Sequence, residues 1–163
     1  MEEHICSFDV FDTVLTRCVF QPSDLFMLLG HRLQRLGYVF SAEEFTQKRL
    51  SVEREARKQI NREEVTLVEI YDRLALLYGW TKYQAQCAMK EELLCEECAL
   101  VPIARMKEQV IKEAERGRRI LFISDTYLPE DFIIRELHAH IPIKDFSLYL
   151  SSTTGLTKHS GNL

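Results

Sequence analysis

A chain of 163 residues and 19.1 kDa, 46% apolar and 28% charged with only six Gly and four Pro, has the composition of a folded domain, and it excludes collagen, low-complexity disorder and a coiled coil. Lys and Arg number 21 against 25 Asp and Glu, so the formal charge is −4 and the pI is near 5.8, which argues against nucleic acid or an anionic membrane as partner and suits a cytoplasmic protein. No apolar run nears the roughly 18–20 residues of a bilayer span, and the N-terminal Met-Glu-Glu-His is acidic where a secretory signal is basic, so neither a membrane anchor nor export is expected.

Residues 4–10, His-Ile-Cys-Ser-Phe-Asp-Val, are a short apolar run ending near a carboxylate, the pattern of a buried parallel strand with function at its C-terminal end. Residues 22–98 then read as almost wholly helical. A first helix over 22–36 sets Leu25, Leu28, Leu29, Leu33 and Leu36 on one stripe and stops at Gly37. Capping boxes at Ser41-x-x-Glu44, Thr66-x-x-Glu69 and Thr81-x-x-Gln84 open the next three. The helix over 42–60 is mostly charged, and between Lys48 and Glu64 cations alternate with anions, which predicts a solvated face rather than a binding patch. The helix over 67–78 is expected to bury Leu67, Ile70, Tyr71, Leu74 and Leu77, with Trp80 after Gly79 as a packing anchor. Five cysteines without framework spacing read as reduced thiols. Cys95-Glu-Glu-Cys98 lacks the second pair or nearby His of a zinc site and reads as one side of a helix.

Pro102 marks a fresh helix start, with Ile103, Met106, Val110 and Ala114 at helical spacing until Gly117. Ile120-Leu121-Phe122-Ile123 is a second buried strand, followed by a helix over 129–139 and a third strand over 146–150. Strand, helix and strand in that order give parallel βαβ units and an α/β fold, which the helical stretch interrupts as an insert.

Three polar clusters follow the strand ends: Asp9 to Thr13, Ser124-Asp125-Thr126, and Lys158-His159-Ser160-Gly161. Ligands of open α/β sheets bind at that edge. Phosphoryl transfer needs such parts, because a carboxylate nucleophile splits one hard displacement into two while hydroxyls, N–H groups and a cation hold the phosphoryl oxygens. Ser124 also suits the cap of the following helix, and the two roles use the same N–H groups.

Ser7-Phe8-Asp9-Val10-Phe11-Asp12-Thr13-Val14-Leu15 resembles the first motif of the haloacid dehalogenase-like (HAD) hydrolase superfamily, an apolar strand followed by D-x-x-x-T. Ile123-Ser124-Asp125-Thr126 resembles the second motif and Thr157-Lys158-His159-Ser160-Gly161 the third, and the helical insert sits where that family has its cap. The resemblance implies a Rossmann-like HAD core from residues 1–20 and 99–163 and a helical cap from 21–98. It implies Asp9 as nucleophile and Mg2+ ligand, the backbone carbonyl of Phe11 as second ligand, and Thr13, Ser124 and the N–H of Asp125 as phosphate-binding groups. Lys158 would neutralise the nucleophile and the phosphoryl group, and residues 14–20 would form a mobile turn beside the site. The implied activity is Mg2+-dependent hydrolysis of a small phosphorylated metabolite, such as a sugar phosphate, through an aspartyl phosphate.

Two departures from the family pattern shape that expectation. Phosphatases of the family carry a second Asp two residues after the nucleophile as acid and base, whereas this chain has Phe11 there, with Asp12 one position later as the catalytic stand-in. General acid–base help is worth roughly 10² to 10⁴ in rate. Dehalogenases of the superfamily have an aromatic residue at that point, so hydrolytic dehalogenation of a 2-haloacid is one alternative. Another is a non-catalytic phospho-ligand-binding domain accessory to a glycosyltransferase, because the Asp-Val-Phe-Asp-Thr form is similar to a branch found near or fused to glycosyltransferases of bacterial surface polysaccharide synthesis. The family's fourth motif, whose acidic residues complete the magnesium site, would follow Leu163. Its absence predicts weak or no activity in this chain, an exposed first-strand edge, and either a longer natural protein or a homo-oligomer that covers the edge.

Overall fold

The structure is a computed structural model describing residues 4–161 and 163; residues 1–3, whose two glutamates bear on the export reading, and residue 162 lie outside the described residues. In chain order the elements are β1 (Ile5–Asp9), β2 (Leu15–Arg17), α1 (Asp24–Arg35), α2 (Ala42–Gln59), α3 (Leu67–Tyr78), α4 (Lys82–Ala99), β3 (Leu100–Pro102), α5 (Ala104–Glu115), β4 (Arg119–Ser124), α6 (Glu130–His140), β5 (Ser147–Leu150) and α7 (Ser151–Thr154). The chain divides into two compact units, Met1–Cys18 with Leu100–Leu163, and Val19–Ala99. The first is mixed α/β and the second is helical.

In the α/β unit the apolar runs pair as a parallel sheet in the order β1-β4-β5. Asp9 stands opposite Ile123, and Ser124 opposite Leu150, so the polar residues after β1 and β4 emerge at the same sheet end. Ile120, Phe122 and Ser124 alternate into the interior along β4, at 1%, 0% and 1% exposure, and Phe122 meets Phe8 and Phe146 at centroid distances of 6.3 and 5.2 Å. β1 is the edge strand of the described sheet, with Ile5 56% exposed.

Two short strands were not legible in the sequence. β2 and β3 form an antiparallel ribbon in which Leu15 faces Pro102 and Arg17 faces Leu100, and the N–H of Ile103 donates to the carbonyl of Val14 at 2.9 Å. The turn expected over 14–20 is therefore partly a strand, and the helix expected from Pro102 begins at Ala104 because Pro102 is drawn into the ribbon. A proline is tolerated in such an edge position because no ladder partner needs its missing N–H.

The helical unit starts its helices as the capping residues dictate. Ser41 Oγ accepts the N–H of Glu44 at 3.2 Å, and the boxes at Thr66 and Thr81 close reciprocally, Glu69 and Gln84 each accepting the N–H of its cap residue. Leu25, Leu29 and Leu33 of the α1 stripe are fully buried, but Leu28 and Leu36 are about half exposed, as is Leu77 on α3. The buried face of α1 is completed instead by Phe26 and Gly30, one step round the helix. At Gly30 a Cβ would lie 2.7 Å from the carbonyl oxygen of Ala42 and 2.9 Å from its Cα, so only glycine allows α1 this close to the start of α2. Gly30→Ala gains about 1 kcal/mol of helix propensity, yet overpacking costs about 1–3 kcal/mol and this clash is with backbone that cannot rotate away. A lower urea midpoint is expected; an unchanged or higher one would show that α2 gives way.

The charged run from Lys48 to Glu64 is not all solvated, since Arg49 and Glu64 are 0% and 2% exposed. Arg49 occupies the position four residues after Phe45 on the buried stripe of α2 and forms a two-pronged pair with the buried Glu92 of α4, at 2.9 and 2.7 Å. Tyr71 Oη of α3 donates to the same carboxylate at 2.7 Å, and the guanidinium lies 4.4 Å over the ring of Phe26 on α1. One buried cluster thus joins all four helices. Trp80 stacks on Tyr78 at 4.9 Å and donates its Nε1–H to the carbonyl of Tyr38 at 3.1 Å. Cys95 is buried, which pushes its thiol up to about 11, while Cys98 is exposed. Among the described residues, no helix is long and apolar enough to cross a membrane.

Candidate active site

The C-terminal end of β1 is fixed by Val10, fully buried, whose carbonyl accepts the N–H groups of both Val14 and Leu15 at 2.9 Å. This folds the chain back at once after Asp9. The reversal requires Asp12 to adopt φ 55°, a left-handed conformation that Asp and Asn enter more readily than other non-glycine residues. The N–H of Asp12 donates to the carbonyl of Leu15 at 2.7 Å, and Asp12 Oδ1 accepts the hydroxyl of Thr16 at 3.0 Å. Phe11, between them, carries the guanidinium of Arg17 over its ring at 4.5 Å.

Asp9 points into this end with both carboxylate oxygens engaged. Oδ1 accepts the N–H of Val10 at 2.7 Å, and Oδ2 lies 2.8 Å from Nζ of Lys158. The two side chains are 41% and 34% exposed, so a small molecule can reach them. Lys158 comes from the far end of the chain and is held by its backbone: its N–H donates to both oxygens of Asp125, at 2.9 and 3.1 Å, while Nζ also reaches the carbonyl of Ile123 at 3.4 Å. Asp125 thus positions the lysine through its carboxylate, a role invisible in the sequence because it spans 33 residues.

The structure therefore brings Asp9, Lys158 and Asp125 together and leaves Asp12 committed to the turn. Ser124 ends β4 at 1% exposure, and Thr13 is half-buried in the turn; neither takes part in the hydrogen bonds just described. His159 is exposed. A further residue, not singled out by sequence, is Ser151: fully buried, its Oγ accepts the N–H of Thr126 at 2.8 Å and donates to the carbonyl of Thr126 at 3.2 Å, tying the start of α7 to the loop after β4. The only signal for it is a serine directly after an apolar strand.

The oxygen donors Asp9 and the Phe11 carbonyl suit Mg2+ in kind, since this hard cation takes carboxylates and carbonyls and completes its shell with water and phosphate. In number they suit only an ion shared with a phosphate: among the described residues, no group of three His, Cys, Asp or Glu side chains could hold a metal. A recess of about 540 Å³ lined by Gly117, Arg118, Arg119, Phe146 and Ser147 opens where β4 and β5 begin. That is the strand end opposite Asp9, away from the edge at which ligands of such sheets bind. No known protein-family model matches the chain, and no curated protein matches it.

Proposed function

We propose that the α/β unit is a Rossmann-like core of the HAD type, with the helical unit in the role of its cap, and that the chain is a cytoplasmic phosphohydrolase acting on a small phosphorylated metabolite through an aspartyl phosphate on Asp9. The observation that carries this reading is the 2.8 Å contact between Nζ of Lys158, in the turn that follows α7, and Oδ2 of Asp9 at the C-terminal end of β1. An ammonium beside the attacking carboxylate offsets the repulsion between two anions, which is the first obstacle to attack on a phosphate ester. The N–H of Val10 on Oδ1 fixes the carboxylate's rotation, and fixed geometry is worth far more than proximity alone.

In the first step an Asp9 oxygen forms a bond to phosphorus and the ester oxygen leaves with its electron pair. Ser124 Oγ, Thr13 and the N–H of Asp125 would grip the other phosphoryl oxygens. In the second step water attacks phosphorus, releasing phosphate and restoring the carboxylate. Mg2+, held by Asp9 and the carbonyl of Phe11, would neutralise phosphoryl charge.

Borohydride added during turnover of a phosphate ester reduces an acyl phosphate to an alcohol, and peptide mass spectrometry is expected to find it at residue 9. Phosphate release without reduction at that residue would overturn the covalent route. Halide release from 2-haloacids in place of phosphate release would replace phosphoryl transfer by dehalogenation, and tight phosphate-ester binding without turnover would favour an accessory domain, as beside a glycosyltransferase.

A further inference from the structure

Resting on that reading, we infer that the substrate's leaving group departs as an unprotonated anion, so that the natural substrate is an acyl phosphate or a phosphoric anhydride rather than an alkyl ester such as a sugar phosphate. In-line displacement sends the leaving oxygen out opposite the attacking one. Lys158, in contact with Asp9 Oδ2 at 2.8 Å, stands on the nucleophile's side, and Asp125 is spent on the N–H of Lys158. A proton for the leaving oxygen has to come from elsewhere.

The chain just beyond Asp9 offers none. Val10 is fully buried and apolar, and Phe11 is a hydrocarbon ring. The cation stacked on it, Arg17, keeps its protons under all ordinary conditions. Asp12 is turned into the left-handed region and is tied to Thr16 of β2, whose hydroxyl donates to its Oδ1 at 3.0 Å. What the turn carries two residues beyond the nucleophile is an aromatic ring with a permanent positive charge over it. Such a surface meets an anion well and donates no proton.

The chemistry balances without an acid. Asp9 oxygen bonds to phosphorus, the phosphorus–oxygen bond to the leaving group breaks, and a carboxylate or phosphate leaves with the electron pair, stable as the anion. Water then attacks phosphorus of the acyl phosphate and the bond to Asp9 breaks; both protons of the water go to the released phosphate, which passes one on to solvent, and Asp9 leaves as a carboxylate, again with no acid required. An alkoxide could not leave in this way at a useful rate.

The test compares kcat/KM for acetyl phosphate, ADP, 4-nitrophenyl phosphate and glucose 6-phosphate on the full chain with Mg2+. Acetyl phosphate against ADP distinguishes the acyl from the anhydride source. The activated substrates are expected to exceed the sugar phosphate by about 10³-fold or more, since a missing general acid costs roughly 10²–10⁴ in rate. Phe11→Asp supplies a proton donor and is expected to reduce that ratio at least about 10²-fold, whereas Phe11→Asn, similar in size to the aspartate but unable to act as an acid, leaves the ratio high. Comparable kcat/KM for glucose 6-phosphate and 4-nitrophenyl phosphate in the unaltered chain would overturn the inference while leaving the Asp9 mechanism intact. Neither turnover nor binding of any of the four substrates, or turnover unchanged in Asp9→Asn, would instead remove the reading on which it rests.

Discussion

Asp9→Asn is expected to lower kcat on any phosphate ester the protein turns over by about 10⁴-fold or more, the order of loss when a nucleophile is removed from a site whose parts act together. The amide has nearly the shape of the carboxylate, and its oxygen can still accept the N–H of Val10, which the structure holds at 2.7 Å. What it lacks is a charged oxygen to attack phosphorus, and its NH2 faces the Lys158 ammonium with donor against donor. Folding should barely change. The Asp9–Lys158 pair is 41% and 34% exposed, and ion pairs of that exposure are worth about 0–1 kcal/mol to stability. Parallel measurement of kcat and of the urea midpoint separates the two effects. A midpoint that falls as far as the activity would mean that Asp9 is part of the scaffold, and kcat within about tenfold of the unaltered chain would refute its role as nucleophile.

The parallel strands were readable because each is a continuous apolar run closed by polar residues, as around Phe8 and Phe122, and a buried strand needs nothing more to announce itself. Helix starts were readable because Ser41, Thr66 and Thr81 each recruit a side chain three residues on, a local rule that tertiary contacts leave alone. The ribbon of β2 and β3 was not, because three residues such as Leu-Thr-Arg show no period, and a proline at the end of Leu-Val-Pro reads as a helix start. Arg49 and Glu92 escaped because hydropathy places a charge outside unless its partner is known, and that partner lies 43 residues away. The candidate site divides the same way. Asp9 and Lys158 stand out through the company they keep in the sequence, but nothing local says that Asp125 would hold Lys158 by its backbone, or that Asp12 would turn left-handed and bond to Thr16. Residue types mark where chemistry can occur, while the hydrogen bonds that orient them cross the chain.

Glu92→Leu is expected to destabilise the helical unit by about 3–5 kcal/mol, because it removes the two-pronged carboxylate from the buried guanidinium of Arg49. The contrast with Asp9–Lys158 is one of solvent rather than of charge. Both pairs are close contacts between a cation and a carboxylate, but Arg49 and Glu92 have no exposure, so water cannot take over when one is removed. Glu53, 2.9 Å from Nη1 of Arg49 and 18% exposed, compensates in part and sets the lower end of the range. The loss also strips the Tyr71 hydroxyl of its acceptor at 2.7 Å, a further penalty of about 1–3 kcal/mol within the total. Arg49→Met combined with Glu92→Leu removes both charges at similar volume and is expected to recover most of the stability, and adding Tyr71→Phe to recover more, since a buried ion pair replaced by well-packed apolar groups is often neutral or better. Denaturant midpoints of the single, double and triple variants test the order. If the double variant is no more stable than Glu92→Leu alone, the four-helix contact depends on the geometry of the pair itself, whose two-pronged bonds from α2 to α4 would then be what sets the helices in register.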